Sequence, residues 1–322
     1  MLFLQALIAT NMKKWYLKAI VQKIISFLPF RNRINFFFQK YITKGVDLHE
    51  EHFFNKYGHL LDHLKHFSAS NDKDQLQGIT CLELGTGWYP IIPIGYFLKG
   101  AAKIYSVDIS AHLTTTTLLR CLEEIDRHQE RFLAGLGAID QERWQVLQDI
   151  RKQATPSTPL EVLCKRLNFI PIVKDIRALE LPEENILLLS SNNTYEHIYP
   201  QVLGGIVAKL WNLTAPGGMM SHFIDMSDHF AHMDNSITIY NFLRFSETQW
   251  QWIDNSIQPQ NRWRLQRYRE LYQQLAIPYS EEKIRPGNLE EVRQLTLAAP
   301  FAAMPQEEVA ISHAYLVSRR PV

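Results

Sequence analysis

Apolar positions follow two different periods along the chain. Over residues 12–28 they recur at helical spacing and stop at Pro29. A second helical stretch, residues 47–67 (DLHEEHFFNKYGHLLDHLKHF), has Asp47 as its candidate cap and Phe53, Leu60, Leu61 and Leu64 on one face. The polar run Ser68–Gln77 then reads as a linker. Beyond it the texture changes to short apolar runs: Ile79–Leu84, Lys103–Val107, Phe169–Val173, Ile186–Ser190 and Gly218–Ile224. A helix-compatible segment runs through Ile94–Leu98, and Val309–Arg319 alternates as a final strand. Short buried strands alternating with helical segments predict a parallel sheet with helices on both faces. Two connections are too long for plain loops. One carries Arg120–Lys152 and is broken at Pro156 and Pro159; the other carries Asn241–Ser246, Trp250, Trp252 and Asn261–Leu275. The expected division is a helical arm or cap over residues 1–77 and an α/β domain over 78–322, with helical insertions at about 112–167 and 226–272.

Composition narrows the class. Of 322 residues, 46% are apolar and 21% charged, which excludes a disordered or fibrous chain. Thirty-four Lys+Arg against 33 Asp+Glu leave a net charge of +1, so charge gives no reason to expect a nucleic-acid partner. Cys81, Cys121 and Cys164 are far apart and form neither a CxxC pair nor a disulfide framework, so a reducing cytoplasm is the expected compartment. One asymmetry stands out within the neutral total. Residues 1–46 carry Lys13, Lys14, Lys18, Lys23, Arg31, Arg33, Lys40 and Lys44 among aromatic and aliphatic residues, with no acid before Asp47. Met1–Ala9 is too short to span a bilayer, and its charges follow rather than precede it, so neither a membrane span nor a standard signal peptide is expected. The favoured reading is a helical arm packed on its own domain. The alternative is a cationic, aromatic surface lying against the inner face of a membrane.

The chemistry concentrates at the ends of the short runs. Cys81-Leu82-Glu83-Leu84-Gly85-Thr86-Gly87-Trp88-Tyr89-Pro90 is a strand ending in Gly-x-Gly. Such a turn lets backbone approach a ligand closely, and the helix after it offers free N–H groups. Nicotinamide-binding folds use the same device with a third glycine, but here that position is Pro90. Glu83, two residues before the first glycine, suits a cationic ligand group. Asp108 closes the next strand about twenty residues on, where a doubly wound fold presents a carboxylate to ribose hydroxyls. Asp175 follows the third strand and equally suits a helix cap.

This ordered set resembles the class I S-adenosylmethionine-dependent methyltransferases. ExGxG follows the first strand, an acid the second, Asp-x-x-x-Leu-x-Leu-Pro (175–182) the third and Glu196-His197 the fourth. The resemblance covers roughly residues 78–319. More narrowly, LELGTGWYP, HFIDMSDHFAH and NFLRFS are similar to a group of uncharacterised bacterial methyltransferases. The resemblance implies a Rossmann-like doubly wound α/β sheet of seven strands, the last antiparallel, with S-adenosyl-L-methionine as cofactor. It implies that Gly85, Thr86 and Gly87 pass under the methionine portion and ribose, with Glu83 near the methionine amino group. Asp108 would accept from the ribose hydroxyls, Asp175 and Ile176 would meet the adenine edge, and Asn192 would line the same site.

The acceptor end is read from Ser221–Asp234, which holds three histidines and three aspartates at the carboxyl edge of the fifth run. A general base for a hydroxyl acceptor is one reading, with His229 or His222 oriented by Asp225 or Asp228. A polar loop that satisfies backbone donors is another. A divalent metal ranks behind both, because the spacing matches no standard ligand motif, and no metal is expected. His197 is a further candidate base, although a structural role, holding the helix that starts there, is the favoured reading. Arg244, Asn261 and Arg262, beside aromatics in the second insertion, would equally suit a solvated helix face or a single-stranded nucleic acid, and are read as contacts for an anionic or carbohydrate-like small-molecule acceptor. The leading expectation is methyl transfer to such an acceptor, at oxygen. A nicotinamide-dependent oxidoreductase on the same sheet and a non-catalytic membrane-surface or scaffold protein are the alternatives.

Overall fold

The computed structural model describes residues 14–28, 47–71, 76–181 and 185–322. The readings placed on Met1–Ala9, Lys13, Pro29, Arg31, Arg33, Lys40, Lys44, residues 72–75 and Pro182 lie outside the described residues. The chain runs α1 (Lys14–Ser26), α2 (Glu50–Asn71), β1 (Thr80–Leu84), α3 (Ile91–Leu98) and β2 (Lys103–Asp108). Four helices follow, α4 (Thr115–Arg127), α5 (Gln129–Leu136), α6 (Gln141–Gln153) and α7 (Leu160–Arg166), and then β3 (Phe169–Val173) and β4 (Ile186–Asn192). After α8 (Pro200–Leu213) and β5 (Thr214–Asp225) come α9 (Glu247–Ile253), α10 (Leu265–Gln274) and β6 (Ser280–Arg285). Three short helices, α11 (Leu289–Arg293), α12 (Ala299–Ala302) and α13 (Gln306–Ala310), lead into β7 (His313–Arg319).

Among the described residues seven strands form one sheet in the order β3-β2-β1-β4-β5-β7-β6. Neighbours from β3 through β5 pair in parallel, and β7 lies antiparallel between β5 and β6. This is the strand order of the class I methyltransferase fold, with helical insertions. The chain leaves β1 toward β2 on one side, while β4 lies on the other. The carboxyl ends of β1 and β4 therefore flank the crevice in which open sheets bind ligands.

Alternation along the central strands feeds two helical layers. Cys81 of β1 and Leu188 of β4 face a cluster with Phe53 and Leu60 of α2, Ile94 and Phe97 of α3, and Leu122, Phe132 and Leu147 of the first insertion. Leu82 and Leu189 face the opposite cluster, built on Leu203, Val207 and Leu210 of α8 and Leu271 and Tyr272 of α10. The first insertion thus widens a helical layer on one face of the sheet. Its helix α4 buries Leu118, Cys121, Leu122 and Ile125 along one stripe, the pattern of a helix packed face-on.

Local differences have local causes. Helix α2 continues to Asn71, into the run read as a linker, with the Ser68 hydroxyl donating back to the Leu64 carbonyl at 3.1 Å. Strand β5 begins at Thr214, before the expected Gly218, and its register against β4 shifts between Ile186 and Leu188. Val309 and Ala310, read as strand, lie in α13, and β7 begins at His313. Strand β6 (SEEKIR) has no apolar alternation to announce it. Among the described residues it is an edge strand that pairs only with β7, and its charges discourage further pairing.

Helix α1 packs on the second insertion. Trp15 is buried and within 6 Å of the Phe230 and Phe245 rings, and its backbone N–H donates to Asp234 Oδ2 at 3.0 Å. The Lys23 amine donates to the carbonyls of Gln251 and Asp254 at 2.8 and 2.6 Å. The other face of α1 leaves Tyr16, Ile20 and Ile24 exposed, and Phe27 is exposed just beyond the helix. Among the described residues no helix is long and apolar enough to cross a membrane.

Candidate functional site

The site begins where β1 stops. Gly85 and Gly87 have φ of +78° and +68°, the left-handed region that side chains avoid, and they turn the chain from β1 toward α3. The turn is held from three sides. The Thr86 hydroxyl donates to Glu83 Oε2 at 2.7 Å, and the Ser106 hydroxyl of β2 donates to Thr86 Oγ1 at 2.6 Å. From α2, the Lys56 amine donates to the carbonyls of Thr86 and Tyr89 at 2.5 and 2.9 Å. A side chain added at Gly87 would point into open space, so the turn presents bare backbone to the crevice.

Glu83 is fully buried, and its Oε1 has no hydrogen-bond partner among the described residues. Burial raises its pKa, and the nearby Lys56 charge opposes the rise. At the adjacent end of β4, Asn192 Oδ1 accepts from His63 Nε2 at 2.9 Å, while its Nδ2 faces Glu83 without reaching hydrogen-bond geometry. A buried acceptor and a buried donor are thus unmet side by side. Asp108 closes β2: its Oδ2 accepts from the Gly87 N–H and its Oδ1 from the Ser110 N–H, both at 3.1 Å. The carboxylate keeps some exposure to solvent, at 18%. The Trp88 ring lies 4.6 Å from that of His112 beside it. Glu83, Gly85, Thr86, Gly87, Asp108 and Asn192 therefore gather around one crevice mouth. Asp175 is engaged differently. It caps the 3-10 turn 176–178 through the Arg177 N–H and forms a two-oxygen ion pair with the Arg177 guanidinium, while Ile176 is buried beneath. That pair lowers the Asp175 pKa.

One strand further along, the ends of β4 and β5 carry a second cluster. Glu196 and His197 lie on the 3-10 turn 195–197, and Asp225 and His229 at the end of β5 and in the loop after it. One ligand-type atom from each of Glu196, His197 and His229 falls within 4.8 Å of the others. Both Glu196 carboxylate oxygens are buried without a hydrogen-bond partner among the described residues. The group's pKa is driven up by burial and by the Asp225 charge. Asp225 lies 3.5 Å from His229 Nε2 and 3.3 Å from His313 Nε2, and accepts from the Ser227 N–H at 2.8 Å. Burial opposes its ionisation, but the two imidazoles outweigh burial and hold its carboxyl below the usual range. His197 Nδ1 donates to the Pro259 carbonyl at 2.7 Å. His222 is not part of this cluster. It points to the other face of the sheet, fully buried, with Nδ1 2.7 Å from the Ser191 hydroxyl and its ring stacked on Tyr195.

The residues read as acceptor contacts hold backbone instead, with one exception. Asn261 donates to the carbonyls of Tyr195 and Ile198 and so braces the turn bearing Glu196 and His197. Arg262 donates to the carbonyls of Phe242 and Phe245 and pairs with Glu247 at 2.8 Å. Arg244 is exposed at the end of the 3-10 turn 241–244. Three participants gave no signal in the sequence: Lys56, His63 and His313 each reach the site from a distant element.

No family model matches the chain, and no curated protein is similar to it. Among solved structures, the chain is similar to a phosphoethanolamine N-methyltransferase 2 of Haemonchus contortus in complex with S-adenosyl-L-methionine (TM-score 0.43, 11% identity, 81% of this chain), of which it covers 52%, about half the length. It is also similar to a 1,6-didemethyltoxoflavin-N1-methyltransferase of Burkholderia thailandensis, with TM-score 0.41, 11% identity and coverage of 82% of this chain and 78% of that one. An S-adenosylmethionine-dependent methyltransferase of Mesorhizobium loti is similar at TM-score 0.40 and 13% identity, with 79% of this chain and 95% of that one covered.

Proposed function

We propose that this protein transfers a methyl group from S-adenosylmethionine to a small or carbohydrate-like acceptor, at oxygen. The observation that carries the reading is the unmet Glu83 carboxylate oxygen, buried beside the Gly85–Gly87 turn whose own amide is held by Asp108. A buried carboxylate oxygen without a partner is costly unless a ligand meets it, and a cationic amino group would. Glu83 and Asn192 would hold the amino-acid end, the bare backbone of Gly85–Gly87 would admit the chain below it, and Asp108 would accept from ribose hydroxyls. When bound, the cofactor supplies an electrophilic methyl group on a cationic sulfur. The protein's own task is to align the acceptor and, for a hydroxyl, to hold the proton it loses.

The acceptor end of this reading is the cluster at the ends of β4 and β5. Asp225 lies close enough to His229 to orient its ring, and the neighbouring His197 is anchored to the Pro259 carbonyl. Pro90, where a nicotinamide site would have its third glycine, weighs against the oxidoreductase alternative. Thermal unfolding with each ligand in turn tests the choice, because a ligand stabilises only the state that binds it. S-adenosylhomocysteine should raise the midpoint while NAD and NADP leave it unchanged; the opposite pattern would replace methyl transfer with hydride transfer. Incubating cell extract with labelled cofactor then identifies the acceptor by which metabolite gains the label.

A further inference from the structure

The cluster at the ends of β4 and β5 has the composition of a metal site. We infer that Glu196, His197 and His229 bind one divalent transition-metal ion, with Asp225 as the outer partner of His229. The inference does not depend on methyl transfer, since it rests on groups outside the glycine turn.

Four observations carry it. First, one potential ligand atom from each residue lies within 4.8 Å of the other two. Ligands about 2.1 Å from a tetrahedral ion sit roughly 3.4 Å apart, so small side-chain rotations close the set. Second, Glu196 is 1% exposed, and neither of its carboxylate oxygens has a hydrogen-bond partner among the described residues. Native proteins seldom leave such atoms unsatisfied without a reason, and a bound ion is one. Third, both imidazoles have the outer partners that metal-ligating histidines require. His197 donates its Nδ1–H to the Pro259 carbonyl at 2.7 Å, leaving Nε2 as its lone-pair nitrogen, and Asp225 stands 3.5 Å from His229 Nε2, leaving Nδ1 as the lone-pair nitrogen of that ring. Fourth, the second insertion locks both segments. Asn261 braces the turn carrying Glu196 and His197 through three backbone groups, and Gln260 accepts from the His229 backbone N–H at 3.3 Å.

The donor set defines the ion. Two imidazoles and a carboxylate favour Zn²⁺, Fe²⁺, Co²⁺ or Mn²⁺ over Ca²⁺ and Mg²⁺, which prefer all-oxygen surroundings. With Glu196 and Asp225 ionised, a 2+ charge leaves the buried group neutral overall. Half-buried His197 and His229 leave a side from which an ion can enter.

The full-length chain, stripped with chelator and dialysed, is titrated with Co²⁺ as a spectroscopic probe and then with Zn²⁺ as competitor. The expected result is one Co²⁺ per chain, visible ligand-field bands, and displacement by Zn²⁺. Glu196→Gln and His229→Ala should each weaken binding by about 10- to 100-fold or more. His49→Ala, an exposed histidine on another element, should bind as wild type and so excludes adventitious surface coordination. Far-UV spectra of the stripped proteins establish that each variant is folded, and His197→Gln replaces any that is not. Absence of stoichiometric Co²⁺ binding by the wild type overturns the inference. So does wild-type affinity in folded Glu196→Gln and His229→Ala, or equal loss in His49→Ala.

Discussion

Replacing Glu83 by Gln separates a ligand-binding carboxylate from a structural one, because the two roles predict opposite balances of stability and affinity. The amide oxygen of Gln can keep the bond from the Thr86 hydroxyl, now 2.7 Å from Glu83 Oε2. What disappears is a carboxylate that burial already disfavours in its charged form. The unliganded variant should therefore be as stable as wild type within about 1 kcal/mol, or slightly more stable. Binding behaves differently. A charge-assisted hydrogen bond to the cofactor's amino group contributes about 1.5–3 kcal/mol, so its loss weakens S-adenosylhomocysteine binding roughly 10- to 150-fold. Calorimetric titration at neutral pH, alongside thermal unfolding without ligand, measures both quantities on one preparation. Unchanged affinity in a folded variant refutes the assignment of Glu83, and so does a large loss of unliganded stability with affinity intact.

Other consequences are equally checkable. Gly85→Val should abolish cofactor binding, since its side chain would strain a φ of +78° and run into Thr194 Oγ1; unchanged affinity would remove the turn from the site. Asp108→Ala should weaken binding by about 1–3 kcal/mol through unpaired ribose hydroxyls, and a neutral titration counts against that role. Acid should destabilise the fold through buried histidines. Burial, with His59 nearby, depresses the His63 pKa to about 3, so between that value and the ordinary 6.5 the unfolded chain takes up a proton that the native one refuses. Stability is thus full above about pH 6.5 and falls as pH drops, by about 2.7 kcal/mol at pH 4.5 for this residue alone. His63→Gln should flatten that limb in denaturant titrations, whereas parallel limbs would assign the acid sensitivity elsewhere. Finally, the membrane-surface reading of the arm predicts that the chain sediments with anionic vesicles and that Ile20→Glu with Ile24→Glu releases it, because those side chains are exposed on α1. Equal partitioning of both proteins into the supernatant would leave that face without a membrane role.

The central strands were legible because a parallel strand covered on both faces is written as an uninterrupted apolar run, as in Ile186–Ser190. Strand β6 was not, since a charged edge strand obeys no burial pattern, and Val309–Ala310 were misassigned because two buried apolar residues look alike in a short helix and a strand. The glycine turn, Glu83 and Asp108 were readable for a similar reason: their spacing follows from one β-α-β unit. Lys56, by contrast, precedes the glycines by about thirty residues on a helix whose docking only tertiary packing decides. The Glu196-His197 dipeptide was visible, but its meeting with His229 depends on β4 and β5 lying side by side and on Asn261 bracing the turn. The sequence therefore weighed the Ser221–Asp234 histidines by their local spacing alone, where no ligand motif exists. Arg262 misleads for the opposite reason. It looks like an acceptor contact in sequence, yet its guanidinium is occupied by backbone carbonyls and Glu247.

The central claim is that the crevice between β1 and β4 holds an adenosyl sulfonium, and isothermal titration of the folded, full-length protein with S-adenosylmethionine and with S-adenosylhomocysteine tests it most directly. The account predicts saturable binding of both at one site per chain, lost in Gly85→Val. Absence of any binding heat with either ligand, under conditions where the protein unfolds cooperatively, would contradict it.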